Sequence, residues 1–189
     1  MENRPYATRL KPAMYSVDVS AAYCQTLQGC YYKGSMTLAA GNKGDTADFL
    51  LVNPKQSRLN LYVNQVLYAN LSSANLKVIC SIGQTPDAVL KSDGTAIPSA
   101  NVVGTNTVKI NHQPGGVIYS GMNFMIKGQM KADTVFTVPS YQTIESMLAG
   151  SRILAPGMCF IAQINAIVEE NIFESSVSFG WWEELAEKE

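Results

Sequence analysis

The sequence predicts an all-β fold, an antiparallel β-sandwich of jelly-roll type carrying an extended N-terminal arm. Three observations lead there. The segment Phe173 to Trp182 alternates in character: Phe173, Val177, Phe179 and Trp181 share one parity with Ser175, while Glu174, Ser176, Ser178 and Gly180 share the other, which ends in Trp182. Period-two patterning puts the two sets on opposite faces of a strand, and the apolar face needs a second layer to cover it. Turn-forming residues recur at intervals of roughly 8–15 residues, the rhythm of sandwiches and barrels. No segment of about a dozen residues shows the apolar spacing of a surface helix. A fixed internal period is also missing, which sets propellers and solenoids aside.

In chain order, residues 1–30 stand apart as an arm, with Pro5 and Pro12, a short Ser16–Val19 run and no sustained alternation. The sandwich is expected over 31–182. Its strand-like runs are Met36–Ala40, Phe49–Val52 closing at Asn53-Pro54, Arg58–Ala69 with Leu59, Leu61 and Val63 on one face, and Leu76–Ile82. Residues 84–99, with Pro86, Asp93-Gly94 and Pro98, read as a long loop. Val102–Ile110 follows, then a Pro114-Gly115-Gly116 turn into Val117–Tyr119, and then Asn123–Lys127 and Thr134–Val138. Tyr141–Leu148 suits a short helix capped by Ser140 or a strand; the β-branched Thr143 and Ile144, with a turn at Ala149-Gly150-Ser151, favour the strand. Met158–Val168 alternates, with Phe160, Ala162, Ile164 and Ala166 on one face, and Glu169-Glu170-Asn171 is expected to close a hairpin onto the final strand. Residues 183–189 read as an acidic tail.

A chain of 189 residues is most simply one domain, large enough to bury a core without disulfides or metals. Charged residues make up 15%, against about 25% in ordinary proteins, and 13 asparagines help fill the gap. A surface poor in charge repels copies of itself weakly and favours association, although a monomer with a Ser/Thr/Asn-rich surface fits the same numbers. The net charge of −1 gives no field for nucleic acid or an anionic membrane. No run is long and apolar enough to span a membrane, and the first residues lack an apolar signal core, so synthesis in the cytosol without a cleaved signal is expected. Arg4, Arg9 and Lys11 make the start basic, and Glu183, Glu184, Glu187 and Glu189 make the end acidic. Either both ends are simply solvated, or a basic arm meets an acidic tail between subunits.

Groups that carry chemistry are scarce. His112 is the single histidine, flanked by Asn111 and Gln113, with no nucleophile or orienting carboxylate in its vicinity in sequence. Asp45 and Asp48 bracket a turn, where calcium is one reading and solvation the other. Pro114-Gly115-Gly116 lacks the Lys-Ser/Thr ending of a phosphate loop and is turn chemistry. Cys24 and Cys30 do not form a zinc-type spacing; near the arm they could cross-link subunits, whereas Cys80 and Cys159 lie in apolar runs as packed thiols. Tyr31-Tyr32 and the final aromatics either fill the core or present a platform for sugars. Trp182, opposite the core face, is expected to cover an edge or anchor a subunit contact. No cofactor is implied.

At Phe179-Gly180-Trp181-Trp182-Glu183-Glu184 the chain resembles an uncharacterised family of small proteins from Gram-positive spore-forming bacteria, whose members tend to end in these six residues. Asn60-Leu61-Tyr62-Val63-Asn64, Pro114-Gly115-Gly116-Val117 and Leu154-Ala155-Pro156-Gly157 are similar too, so the resemblance spans about residues 29–184, with the arm outside it. It implies no catalytic residues. The arm with Cys24 and Cys30 ahead of a charge-poor sandwich is more loosely similar in architecture to jelly-roll subunits of endospore appendages. The expected function is a non-enzymatic subunit that self-assembles, using Arg4, Arg9, Lys11, Cys24, Cys30, Trp182, Glu183 and Glu184 at its contacts, on a spore surface or in a virion-like assembly. A surface or virion module recognising glycan or protein through its loops is the alternative.

Overall fold

Ten strands account for almost all regular structure in the computed structural model, which describes residues 20–22, 24, 30–40, 44–90, 95–96, 115–123, 132–167 and 172–186. They are β1 (Tyr31–Ala40), β2 (Ala47–Val52), β3 (Leu59–Asn70), β4 (Leu76–Gln84), β5 (Thr95–Ala96), β6 (Val117–Met122), β7 (Thr134–Val138), β8 (Thr143–Leu154), β9 (Met158–Ala166) and β10 (Phe173–Leu185); α1 (Asp87–Leu90) is a single helical turn. No helix among the described residues is long and apolar enough to cross a membrane.

The pairing is nested. β1 pairs with β10, β2 with β9, β3 with β8 and β4 with β7, all antiparallel. This is the pattern of one long hairpin doubled on itself. Pairing of β10 with β3 and of β9 with β4 rolls the hairpin into two facing sheets, ordered β1-β10-β3-β8 and β5-β6-β2-β9-β4-β7. That is the jelly roll, as expected. The segment between β4 and β7 is an insertion at the tip of the hairpin, and its strand β6 extends the second sheet beyond β2.

The inner faces form the core. Phe173, Val177, Phe179 and Trp181 of β10 meet Phe49, Leu51, Phe160, Ala162 and Ile164 of the second sheet, all buried. Parity in the last strand and in β9 is therefore as read from sequence. A smaller second core lies on the outer face of the second sheet, where Leu50, Val52, Cys159 and Ile161 are covered by Val89 of α1 and packed by Tyr119 of β6. Burial on both faces explains why β2 reads Ala-Asp-Phe-Leu-Leu-Val without clean alternation.

Three readings are corrected. Met158–Val168 and the last strand do not form a hairpin: β9 and β10 lie in different sheets, because a rolled hairpin sends consecutive strands across the sandwich. Ala149-Gly150-Ser151 is no turn; it is a bulge inside the continuous β8, with Ala149 at φ 46° and Gly150 at φ 76°. Register jumps there from Arg152 opposite Val63 to Met147 opposite Gln65. Against β10, where Trp181 faces Val63 and Gly180 faces Gln65, Asn64 is an extra residue in β3, so the buried face passes from Leu59, Leu61 and Val63 to Val66 and Tyr68. Finally, β10 runs through Leu185, so Glu183 and Glu184 belong to the sandwich and not to a tail. Val102–Ile110, residues 124–127, the 169–171 tip and His112 lie outside the described residues.

Cys80 and Cys159 are buried as expected, and none of the four cysteines is in a disulfide. Burial pushes the Cys80 thiol up to about 11, the Tyr68 hydroxyl partly offsetting it, and the Cys159 thiol up to about 12. The unfolded chain releases these protons near pH 9.0 while the folded chain keeps them. Stability is thus level below that pH and falls as pH rises towards 11–12. Thermal melts across pH 8–11 are expected to show this decline, lessened in the Cys80→Ala/Cys159→Ala variant. A thiol reagent at pH 8 should modify Cys24 in native protein and spare Cys80 and Cys159 until denaturant is added.

Candidate functional site

The end of the sandwich where β1 starts and β10 stops gathers most of the segments singled out in the sequence. Trp181 and Trp182 are neighbours on one strand and so point to opposite faces. Each indole N–H donates to the glutamate two residues further along its own face: Trp181 Nε1 to Glu183 Oε1 at 3.0 Å, and Trp182 Nε1 to Glu184 Oε1 at 3.1 Å. The Trp-Trp-Glu-Glu run is thus two indole–carboxylate pairs, one on each side of the sheet.

The inner pair is closed off from water. Glu183 is 4% exposed and its carboxylate also accepts the backbone N–H of Gly115 at 2.9 Å and of Gly116 at 2.9 Å. Three donors offset the cost of desolvating the charge. The glycines are there for room: a Cβ on Gly116 would lie 2.8 Å from the Trp181 indole, and one on Gly115 2.7 Å from Leu59. Tyr32 stacks on Trp181 with ring centroids 5.7 Å apart, and burial followed by the charge of Glu183 pushes its phenol up to about 12.

The outer indole is covered by the chain itself. Trp182 stacks on Tyr62 at 5.4 Å with planes 1° apart, and the bulge of β8 lies over it, with so little space that a Cβ on Gly150 would fall 2.2 Å from the indole. Trp182 is 5% exposed. Gly180, in the same run, is required because Tyr31 Oη would stand 2.5 Å from a Cβ there. Tyr31 Oη in turn accepts from Asn64 Nδ2 at 3.0 Å.

Beside this stack lies an open groove of about 730 Å³, walled by Asn60 and Tyr62 of β3, Ala155 and Pro156 of the β8–β9 turn, and Glu184 and Leu185 of β10. Asn53 braces the turns next to it. The Asn53 side chain donates to the carbonyls of Leu59 and Leu154, each at 2.7 Å, and accepts from the Ser57 hydroxyl; its backbone N–H and C=O bind Met158 and Gly157. The β2–β3 and β8–β9 turns are thereby tied together.

The expected assembly residues separate into three groups. Arg4, Arg9 and Lys11 lie outside the described residues. Trp182 and Glu183 are enclosed by their own chain, which removes them as direct contacts for a neighbour; the edge that Trp182 meets is that of β8. Glu184 is exposed on the groove wall, Cys24 is exposed, and Cys30 is half-buried, its carbonyl accepting the Glu183 N–H at 3.2 Å. Burial, then the charges of Glu183 and Glu184, raise the Cys30 thiol above its usual range. The Glu183–glycine clamp was not foreseen; adjacency of Gly115-Gly116 to a carboxylate 67 residues away carries no local signal.

The other candidate residues do not gather into one site among those described. Asp45 accepts from Asn123 Nδ2 at 3.0 Å and buried Asp48 from Gln163 Nε2 at 3.1 Å, so the two carboxylates serve different partners. No three His, Cys, Asp or Glu side chains converge among the described residues. A cavity of about 30 Å³, the size of one water, lies between Tyr68, Cys80, Asp133 and Arg152. There the Tyr68 hydroxyl meets Cys80 Sγ at 3.1 Å, and burial keeps both protonated at neutral pH.

Fold and site together define a two-sheet jelly roll with a clamped C-terminal strand. Residues 10–188 match the model of a family of unknown function, DUF6143, and the chain belongs to that family. The match includes Lys11, Cys24 and Cys30, so most of the arm belongs to the family pattern, in place of standing outside it. No curated protein and no solved structure matches the chain.

Replacing Trp181 by Ala should cost on the order of 3–5 kcal/mol. Because Trp182 is also buried, Trp182→Ala should lower the melting temperature as well, by a smaller amount. Glu183→Ala leaves two backbone amides and an indole without their acceptor and should cost roughly 2–4 kcal/mol, while Glu183→Gln, which keeps one acceptor oxygen, should cost less; chemical denaturation compares them.

Proposed function

We propose that this protein is a non-enzymatic structural subunit that self-assembles into a filament, appendage, sheath or shell, on a spore, cell or virion, through its N-terminal arm and its sheet edges. The observation that carries the reading is β8. It is a 12-residue strand at the border of the first sheet, and no described strand pairs with its outer side. Met147 and Ile153 on it are 62% and 49% exposed. A long border strand with exposed apolar side chains is a template for adding a strand from another chain. The arm is the donor that this reading calls on. Contacts of that head-to-tail kind generate rings or open filaments.

The groove beside Tyr62 favours the second reading, a module that recognises glycan or protein, because Asn60 and Glu184 offer hydrogen-bonding groups to a ligand. A glycan array with the purified protein tests it.

Deleting residues 1–25 is expected to give a soluble, folded monomer, while the full chain assembles. Light scattering and electron microscopy read the outcome, and a truncated protein that assembles like the full chain would overturn the arm's role.

A further inference from the structure

We infer that the groove between Tyr62, Pro156, Glu184 and Leu185 is the seat of the basic N-terminal arm of a second copy of this chain. The inference rests on the assembly reading above and adds to the border of β8 a second contact, one that takes residues 4–12 of the arm. Three features of the groove select a basic, partly apolar peptide. Leu185, 76% exposed, and Pro156 give it apolar walls, and Glu184 places a carboxylate beside them. Residues 4–12, Arg-Pro-Tyr-Ala-Thr-Arg-Leu-Lys-Pro, combine three cations with Tyr6, Leu10 and two prolines, the complement of such walls.

The geometry favours exchange between copies. The arm joins the sandwich at Cys30, whose carbonyl binds Glu183, so each arm leaves from the rim that carries its own groove. The described arm residues Ser20, Ala21 and Cys24 are exposed and none of them lines the groove. Ala21, Ala22 and Cys24 lie in a helical turn, with the Cys24 N–H donating to the Ser20 carbonyl; with the rest of the stretch from 11 to 30 extended, the arm would span about 55–60 Å. That length reaches a neighbouring sandwich. An arm from one copy in the groove of the next leaves the second copy's arm available, and the chain of contacts continues.

The test uses full-length protein on a Cys24→Ser, Cys30→Ser background. One preparation carries Lys11→Cys and another Leu185→Cys. Mixed and oxidised, they are expected to give a cross-linked heterodimer on a non-reducing gel that neither gives alone in comparable yield. In parallel, Leu185→Asp, at an exposed position, should leave the melting temperature unchanged and raise the concentration needed for assembly about ten-fold or more. Arg9→Glu/Lys11→Glu should weaken assembly likewise, and Glu184→Lys should partly restore it. Assembly that is lost on deleting residues 1–25 but insensitive to Leu185→Asp, with no heterodimer, overturns the groove while leaving the arm's role intact. An internal disulfide formed only when both cysteines share one chain places the arm in its own groove and overturns exchange. A full-length protein that is monomeric at every concentration removes both readings.

Discussion

One carboxylate, held away from water, fixes how the parts of this sandwich meet. Glu183 has solvent on almost none of its surface, so its charge is tolerable only while three N–H groups point at it. Two of those belong to Gly115 and Gly116, at the point where the insertion returns to the sheet as β6. The carboxylate therefore sets where β6 begins, and β6 in turn pairs with β2 along its full length, Val117 opposite Val52 and Met122 opposite Ala47. The third donor is the indole of the largest core side chain. A misplacement of the insertion would strand a buried charge, while a misplacement of Trp181 would strand a buried donor. Because both penalties fall together, the end of β10, the start of β6 and the Tyr32–Trp181 stack form one cooperative unit.

The sequence was most legible where burial follows a simple period. Alternation in Phe173–Trp182 and in Phe160–Ala166 specified the core face of two central strands, and turn residues bounded most of the others within a few positions. What it concealed has a common physical origin. A jelly roll pairs strands far apart in the chain, so adjacency misleads, as it did for β9 and β10. A bulge shifts parity without a compositional mark: Asn64 and Ala149-Gly150 look like ordinary strand and turn residues, yet they redirect β3 and re-aim the border strand over Trp182. The closing motif was visible as a string of letters. Its meaning was not, because the acceptor role of Glu183 depends on glycines 67 and 68 residues upstream.

Asparagine shows why composition alone pointed only halfway. A polar, charge-poor chain suggests a polar surface, but Asn53, Asn64 and Asn70 are buried. Asn53 ties two turns at the groove end, and Asn70 does the same at the opposite end, donating to the carbonyls of Ala74, Val138 and Pro139 and accepting from Ser72. A side-chain amide carries both donors and an acceptor without a charge to desolvate, which suits it to satisfying backbone groups where strands leave the sheets. Low charge is in part a consequence of this architecture. The exposed apolar residues are a separate matter, since Met147, Ile153 and Leu185 serve no such internal need.

Alternation along β10 divides labour at its last residues. Trp181 and Glu183, on the inner face, are consumed by folding; Glu184 and Leu185, which follow, stand at the groove. The run that closes the core thus also delivers a charged and an apolar side chain, Glu184 and Leu185, to the surface where the strand ends, beside the start of β1. The buried thiols and phenols here are held protonated, and the one buried glutamate at this end is already saturated with donors. Under the proposed assembly, the border of β8 and this rim are the parts of the sandwich left for other chains to meet.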